Sequence, residues 1–237
     1  MRRALLSLFL MAVVPAMAAS AEAAPTARQP VVIELYTAQG CSSCRKANER
    51  LAELAEKPGV LALTFAVDYW DYLGWPDSFA QPAFVDRQKA YARKLNVREV
   101  YTPQVIVDGR SQTGGVKIEK IEALVAEATR TPVNPPDMLL LRNGRIAVGS
   151  GPVPRGGAEV WMVRYDPREL TVTPRRGDNR GLPVVHRNVV RQLAKLGAWS
   201  GSPTAYRTPR PTEDGLKTVI LVQAARGGKI IGVLVES

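Results

Sequence analysis

The chain has 237 residues and a net charge of +10, from 32 Lys and Arg against 22 Asp and Glu. Its two cysteines are too few for a disulfide-dense scaffold, so ordinary apolar cores must hold the fold. The basic excess is uneven: residues 1–130 carry 16 basic against 14 acidic side chains, and residues 131–237 carry 16 against 8.

The N-terminus is "MRRALLSLFLMAVVPAMAASAEAA". Arg2 and Arg3 precede an apolar run from Ala4 to Val14, and small residues then offer cleavage after Ala18 or Ala23. This pattern predicts a secretory signal peptide over residues 1–23, with an apolar part too short to span a bilayer. No other stretch could cross a membrane. The expected product is a periplasmic or secreted protein with no transmembrane span and no nucleic-acid partner. Its basic surface is solvated or meets anionic partners.

"PVVIELYT" (30–37) is an apolar, β-branched strand. From Ser43 to Lys57, Ala47, Leu51, Leu54 and Ala55 recur at helical spacing, with Ser42 or Ser43 as the expected N-cap. "GVLALTFAVDYW" (59–70) is a second strand, followed by an aromatic loop. A helix over 82–95 starts near Pro82 and places Phe84, Gln88, Tyr91 and Leu95 on one face. "PQVIVDG" (103–109) and "RSQTGG" (110–115) form a strand and its short hairpin partner. A third helix covers 117–129. Alternating strands and helices place the first strands side by side in one sheet.

At "TRTPVNPPD" (129–137) three prolines in five residues predict a stiff linker. Beyond it, Asn143-Gly144 separates two apolar runs as a hairpin. "AEVWMVRY", "ELTVT", "KTVILVQA" and "KIIGVLVE" are further strands, the last two joined across Arg226-Gly227-Gly228. Residues 181–197 are ambiguous between strand and helix. The predicted organisation is an α/β domain over 30–131 and a smaller β-rich domain, a sandwich or open barrel, over 137–237.

The cysteines fall in "YTAQGCSSCRK" (36–46), between the first strand and the first helix. As a staple the pair is poor: so short a loop removes only about 2 kcal/mol of unfolded-state entropy, against about 4.7 for a 100-residue loop. As chemistry it is well placed. The helix N-terminus, Arg45 and Lys46 favour a thiolate at Cys41, and Cys44 is within reach to resolve a mixed disulfide.

"YTAQGCSSC" resembles the active-site segment of glutaredoxins, and "VYTPQVIVDGRSQTGG" (100–115) resembles their Thr-Val-Pro-Gln stretch with its later glycine pair. The resemblance implies a thioredoxin-like (glutaredoxin-like) domain in which Pro103 is a cis-proline facing the cysteines. With Thr102 it would dock substrate backbone. Gly114 and Gly115 match the glycines beside which glutathione lies. Ser42 stands where glutaredoxins carry a proline, and their preceding lysine has no clear match. Over nearly the whole chain, "VIELYTAQGCSSC", "VDYWDYLGW", "YTPQ" and "NRGLPVVHRNVVRQLAKLGAW" (179–199) resemble an exported bacterial thioredoxin-like family of unknown function.

Other residues carry alternatives. "DYWDYLGWPDSF" (68–79) is a structured aromatic insertion or a partner-binding wall that includes Trp70. Glu34 and Asp68 are candidate proton relays, Glu34 otherwise an outward-facing strand residue. His186, the only histidine, reads as a structural residue, and "TPRRGDNRG" (173–181) as a solvated loop or a contact surface to the first half. The expected activity is thiol–disulfide exchange on protein or small-thiol disulfide substrates, supported by a redox partner protein. Cys41 is the nucleophile and Cys44 the resolving thiol. No cofactor and no metal site is expected. The alternatives are Cu(I) held by the two thiolates, or a non-catalytic interaction protein on the same fold.

Overall fold

The computed structural model describes residues 29–142 and 144–236; the leader expected over 1–23 lies outside the described residues. The first half runs β1 (Val31–Thr37), α1 (Ser42–Ala55), β2 (Val60–Ala66), α2 (Pro82–Lys94), β3 (Gln104–Val107), β4 (Ser111–Gly114) and α3 (Ile118–Arg130). A single 3-10 turn, Asp71–Leu73, interrupts the aromatic loop. The second half is all strand: β5 (Met138–Leu140), β6 (Arg145–Val148), β7 (Ala158–Asp166), β8 (Leu170–Val172), β9 (Val184–His186), β10 (Val189–Trp199), β11 (Thr204–Arg207), β12 (Lys217–Ala224) and β13 (Ile230–Val235).

β1 is buried along its whole length, because both of its faces are covered. On one face Ile33, Leu35 and Ala62 meet Ala47, Leu51 and Leu54 of α1 and Ile121 of α3. On the other face Val32, Tyr36 and Phe65 meet Phe84, Val85 and Tyr91 of α2. β1 pairs parallel with β2 and antiparallel with β3, which turns back into β4.

The second half does not build its own sandwich or barrel. β10 pairs with the outer edge of β2 through Val189 and Thr64, and one mixed sheet runs in the order β13-β12-β7-β10-β2-β1-β3-β4. That edge offers unpaired backbone groups, which a neighbouring strand satisfies. Thr64 N–H donates to Asn188 O at 3.0 Å, Thr64 Oγ1 to Arg187 O at 2.7 Å, and Asn188 Nδ2 to Ala62 O at 2.8 Å. Helix α2 lies across the junction: its core cluster takes in Val163, Tyr165, Val190, Val219 and Leu221 from the second half. Face-to-face sheet packing survives only locally. The small sheet β11-β6-β5 sets Ile146, Val148 and Tyr206 against Val160, Met162, Ile220 and Val222.

Residues 181–197, ambiguous in sequence, are β9 and most of β10, separated at Asn188, which has φ 50. Neither Ser42 nor Ser43 caps α1. Both lie inside the helix and Cys41 holds the N-cap position in extended conformation, φ −98 and ψ 118. Among the described residues no helix is long and apolar enough to cross a membrane.

Candidate functional site

β1 ends at Thr37, four residues short of Cys41, and the chain reverses there into α1. Cys41 N–H donates to Ala38 O and Cys44 N–H to Cys41 O, at 3.2 and 3.1 Å, so both cysteines sit on one tight turn at the helix start. A disulfide joins them, with the α-carbons 5.4 Å apart. Cys41 is only 1% exposed, and Cys44 is fully buried.

Three sets of residues enclose Cys41. The first is the Thr102–Pro103 segment, whose peptide bond is cis. Thr102 Oγ1 donates to Cys41 Sγ at 3.5 Å, and Trp70 Nε1 in turn donates to Thr102 Oγ1 at 2.7 Å. Gly115 N–H donates to Pro103 O at 2.9 Å, and Gly115 is tightly packed: an added β-carbon would come to 3.0 Å from both Pro103 Cβ and Ala47 Cβ, so those neighbours would have to shift. Gly114, by contrast, has open space above its α-carbon.

The second set is the aromatic insertion, which grips Gln39, two residues before Cys41. Asp77 Oδ2 accepts Gln39 N–H at 2.7 Å, Trp75 Nε1 donates to Gln39 Oε1 at 2.8 Å, and Gln39 Nε2 donates to Ser78 Oγ at 2.9 Å. Burial pushes the Asp77 carboxyl up to about 6, against the pull of the backbone N–H groups of Gln39 and Phe79. Tyr69 and Trp70 pack on the core, while Tyr72 stacks on Trp70 and is 77% exposed. The insertion therefore both folds onto the domain and forms an aromatic rim.

The third set comes from the second half of the chain. In the loop 173–181, Asn179 Nδ2 donates to Gln39 O at 2.9 Å and to Cys41 O at 2.8 Å, while Asp178 N–H donates to Gly40 O at 3.2 Å. Three consecutive carbonyls of the cysteine loop are thus satisfied from one distant dipeptide. Gly177, with φ +80, lies so close that an added β-carbon would be 3.2 Å from Gly40 Cα. The contact-surface reading of "RGDN" is the one that matches this placement.

The remaining candidates lie elsewhere. Glu34 does not face outward; it is buried against Arg87, which donates from Nε to Oε2 at 2.7 Å and from Nη2 to Oε1 at 2.8 Å. Tyr91 and Tyr36 hydroxyls complete its shell, at 2.6 and 3.0 Å. None of these bonds reaches a cysteine. Asp68 contributes its carbonyl, which accepts Asp71 N–H at 2.9 Å.

His186 is buried beside α1. Its Nδ1 lies 3.2 Å from Asn48 Nδ2, Asn48 Oδ1 accepts Thr37 Oγ1–H at 2.8 Å, and Phe79 meets its ring edge to face. Burial lowers its pKa to about 4, and Nε2 has no hydrogen-bond partner among the described residues. Among those residues there is also no group of three or more His, Cys, Asp or Glu placed to hold a metal.

Gln39, Asp77, Arg87 and Asn179 carry much of this architecture without having been singled out from sequence. Gln39, Asp77 and Asn179 each lie inside a segment that draws attention for other residues, and Arg87 lies in none of them.

Residues 32–223 match a family described as "Protein of unknown function (DUF1223)". The crystal structure of a protein from Agrobacterium tumefaciens is similar at 31% identity and a TM-score of 0.71, covering 89% of this chain and 95% of its own. HBP35 of Porphyromonas gingivalis shares the fold at 13% identity and a TM-score of 0.55, over 89% of this chain and 75% of its own. No curated protein matches the chain.

Proposed function

The chain belongs to that family of unknown function, and we propose that it acts as an exported thiol–disulfide oxidoreductase of thioredoxin-like build, working through Cys41 and Cys44. One observation carries the reading: a C-x-x-C disulfide begins a helix, and the Thr102–Pro103 segment faces Cys41 Sγ. A staple needs no such opposing segment.

A substrate thiolate attacks Cys41 Sγ, the Cys41–Cys44 bond breaks, and the bonding pair leaves on Cys44 as thiolate. A second substrate thiolate attacks the substrate sulfur of the mixed disulfide and releases Cys41 as thiolate. Two electrons pass to the protein, the substrate leaves as a disulfide, and the two protons the substrate thiols gave up are available to the new thiols. In the reverse direction the same steps reduce a substrate disulfide.

The chain's residues divide the work. The α1 N-terminus, with Arg45 and Lys46 in its first turn, stabilises negative charge on Cys41. Thr102 and Pro103 dock the substrate backbone, Trp70 walls one side, and Gly114 leaves room on the other, with Gly115 packed beneath the Pro103 segment. Because Cys41 is only 1% exposed, with Thr102 Oγ1 against its sulfur, a partner must shift that neighbourhood to reach it. An exported location, as the leader predicts, is one where the disulfide persists.

Trapping tests the reading. With Cys44→Ser, a mixed disulfide on Cys41 should accumulate when reduced protein meets a disulfide substrate, and Cys41→Ser should show no exchange. In reduced wild-type protein Cys41 should alkylate first at mildly acidic pH, having a pKa below the roughly 8.5 of a free thiol. Equal alkylation of both cysteines, with neither variant trapping a partner, would defeat the proposal.

A further inference from the structure

The second half of the chain has no assigned part in this chemistry, yet it supplies the only side chain among the described residues that bonds two backbone carbonyls of the cysteine loop. Asn179 is 1% exposed, and its amide bridges the carbonyls of Gln39 and Cys41. The neighbouring Asp178 N–H takes the carbonyl between them. Cys41 O also accepts Cys44 N–H, so the Asn179 bond acts on the very carbonyl that closes the first turn of α1.

We infer that Asn179 is a positioning residue for the redox pair: it fixes the Cys41 backbone in one place in both redox states and thereby sets how readily the disulfide closes. The inference rests on the thiol–disulfide reading. In the oxidised protein the disulfide itself limits where Cys41 can go. In the reduced protein that covalent limit is gone, and the three hydrogen bonds from residues 178 and 179 remain to hold Cys41 over the helix start. A thiol held in that place faces Cys44 at high effective concentration, which favours the closed disulfide. Without the anchor the reduced loop gains conformations that cannot close.

The chemistry of the donor matters as much as its size. An amide donates to two carbonyls; an isosteric carboxylate cannot donate at all, and a leucine of similar shape fills the space without a polar group. Size and hydrogen bonding can therefore be separated by substitution at one position.

The experiment equilibrates full-length wild-type, Asn179→Leu and Asn179→Asp proteins in glutathione buffers, with the thiol state read by mass after acid quench. The equilibrium is protein disulfide plus two glutathione thiols against protein dithiol plus one glutathione disulfide, a two-electron, two-proton balance. Asn179→Leu is expected to weaken disulfide closure about tenfold, which raises the potential by about 30 mV. Asn179→Asp should shift it at least as far. Urea unfolding of the same proteins reads the fold separately.

A potential equal to wild type in both variants, whatever their stability, would make Asn179 a prop of the fold and overturn the inference. So would an Asn179→Asp protein that keeps the wild-type potential. Should both variants fail to fold, the wild-type protein still decides. The Asn179 side-chain amide protons should stay protected from exchange with solvent after reduction, and their loss on reduction would refute a shared anchor. If wild-type protein does not equilibrate with glutathione at all, while its cysteines remain open to a phosphine reductant, the oxidoreductase reading fails and this inference falls with it.

Discussion

Asp77 and His186 lie on either side of Phe79, whose N–H bonds the Asp77 carboxylate and whose ring packs on His186. Burial moves them in opposite senses, Asp77 up to about 6 and His186 down to about 4. The folded protein therefore holds the Asp77 proton more tightly than the unfolded chain does, so stability from this group falls as pH rises from about 4 to about 6. His186 resists protonation in the fold, so its contribution is lost as pH falls from about 6.5 towards 4. Each effect is roughly 3 kcal/mol, and across this window the two slopes oppose each other. Wild-type stability from these two groups should be nearly flat there. Asp77→Asn should leave the histidine slope, making the protein more stable as pH rises from 4 to 6.5. His186→Gln should leave the aspartate slope, of opposite sign. Urea midpoints at several pH values check both. Parallel curves for all three proteins would mean that neither group titrates as its burial implies.

Helix α2 is the element that most depends on charge inside the core. Its Arg87 spans Glu34 of β1 and Gln223 of β12, with Nη1 donating to Gln223 Oε1 at 3.1 Å, and it lies over the rings of Phe65, Tyr91 and Trp161. Burial works against the guanidinium charge, but the Glu34 carboxylate and the Tyr91 and Tyr36 hydroxyls outweigh it and hold the pKa well above the usual value. Arg87→Met should cost about 3–5 kcal/mol, because it strands the Glu34 carboxylate in the core. The double replacement Glu34→Leu with Arg87→Met should cost less than the single one. Chemical unfolding of the three variants gives the comparison, and additive losses would contradict it. The sequence made α2 legible as a helix through Phe84, Gln88 and Tyr91, because periodicity reports which face is inward. It did not reveal Arg87 as buried, since an arginine on that face looks solvated until its partner 53 residues away is known.

At the scale of the molecule, the same limit applies. The apolar runs of β1 and β2, the Asn143-Gly144 hairpin and the two cysteines were all readable locally. The cis-proline followed from resemblance to a motif. What no local pattern could show is that β10 would pair with β2, because an apolar strand records its burial and not its neighbour. That pairing changes what a truncation should do. The linker at 129–137 marks a domain boundary in the sequence, but a chain ending at residue 131 would leave the β2 edge unpaired. It would also expose the part of α2 that covers Val163, Tyr165, Val190, Val219 and Leu221. The full chain is expected to unfold in one cooperative transition and the truncated chain to show weak, broad unfolding. A sharp, stable transition for residues 29–131 would show instead that the first half is self-sufficient.

The loop that caps the cysteine turn also sets a timetable. Asn179 follows Cys41 by 138 residues. At roughly 5–20 residues per second, a growing chain presents its thiols some 7–28 s before the residue that covers them exists. During that interval the pair is open to any oxidant it meets, and afterwards a folded loop stands over it. The redox state in which the turn is first clasped is thus set by the surroundings of an unfinished chain, and any later change must come through exchange on the folded protein.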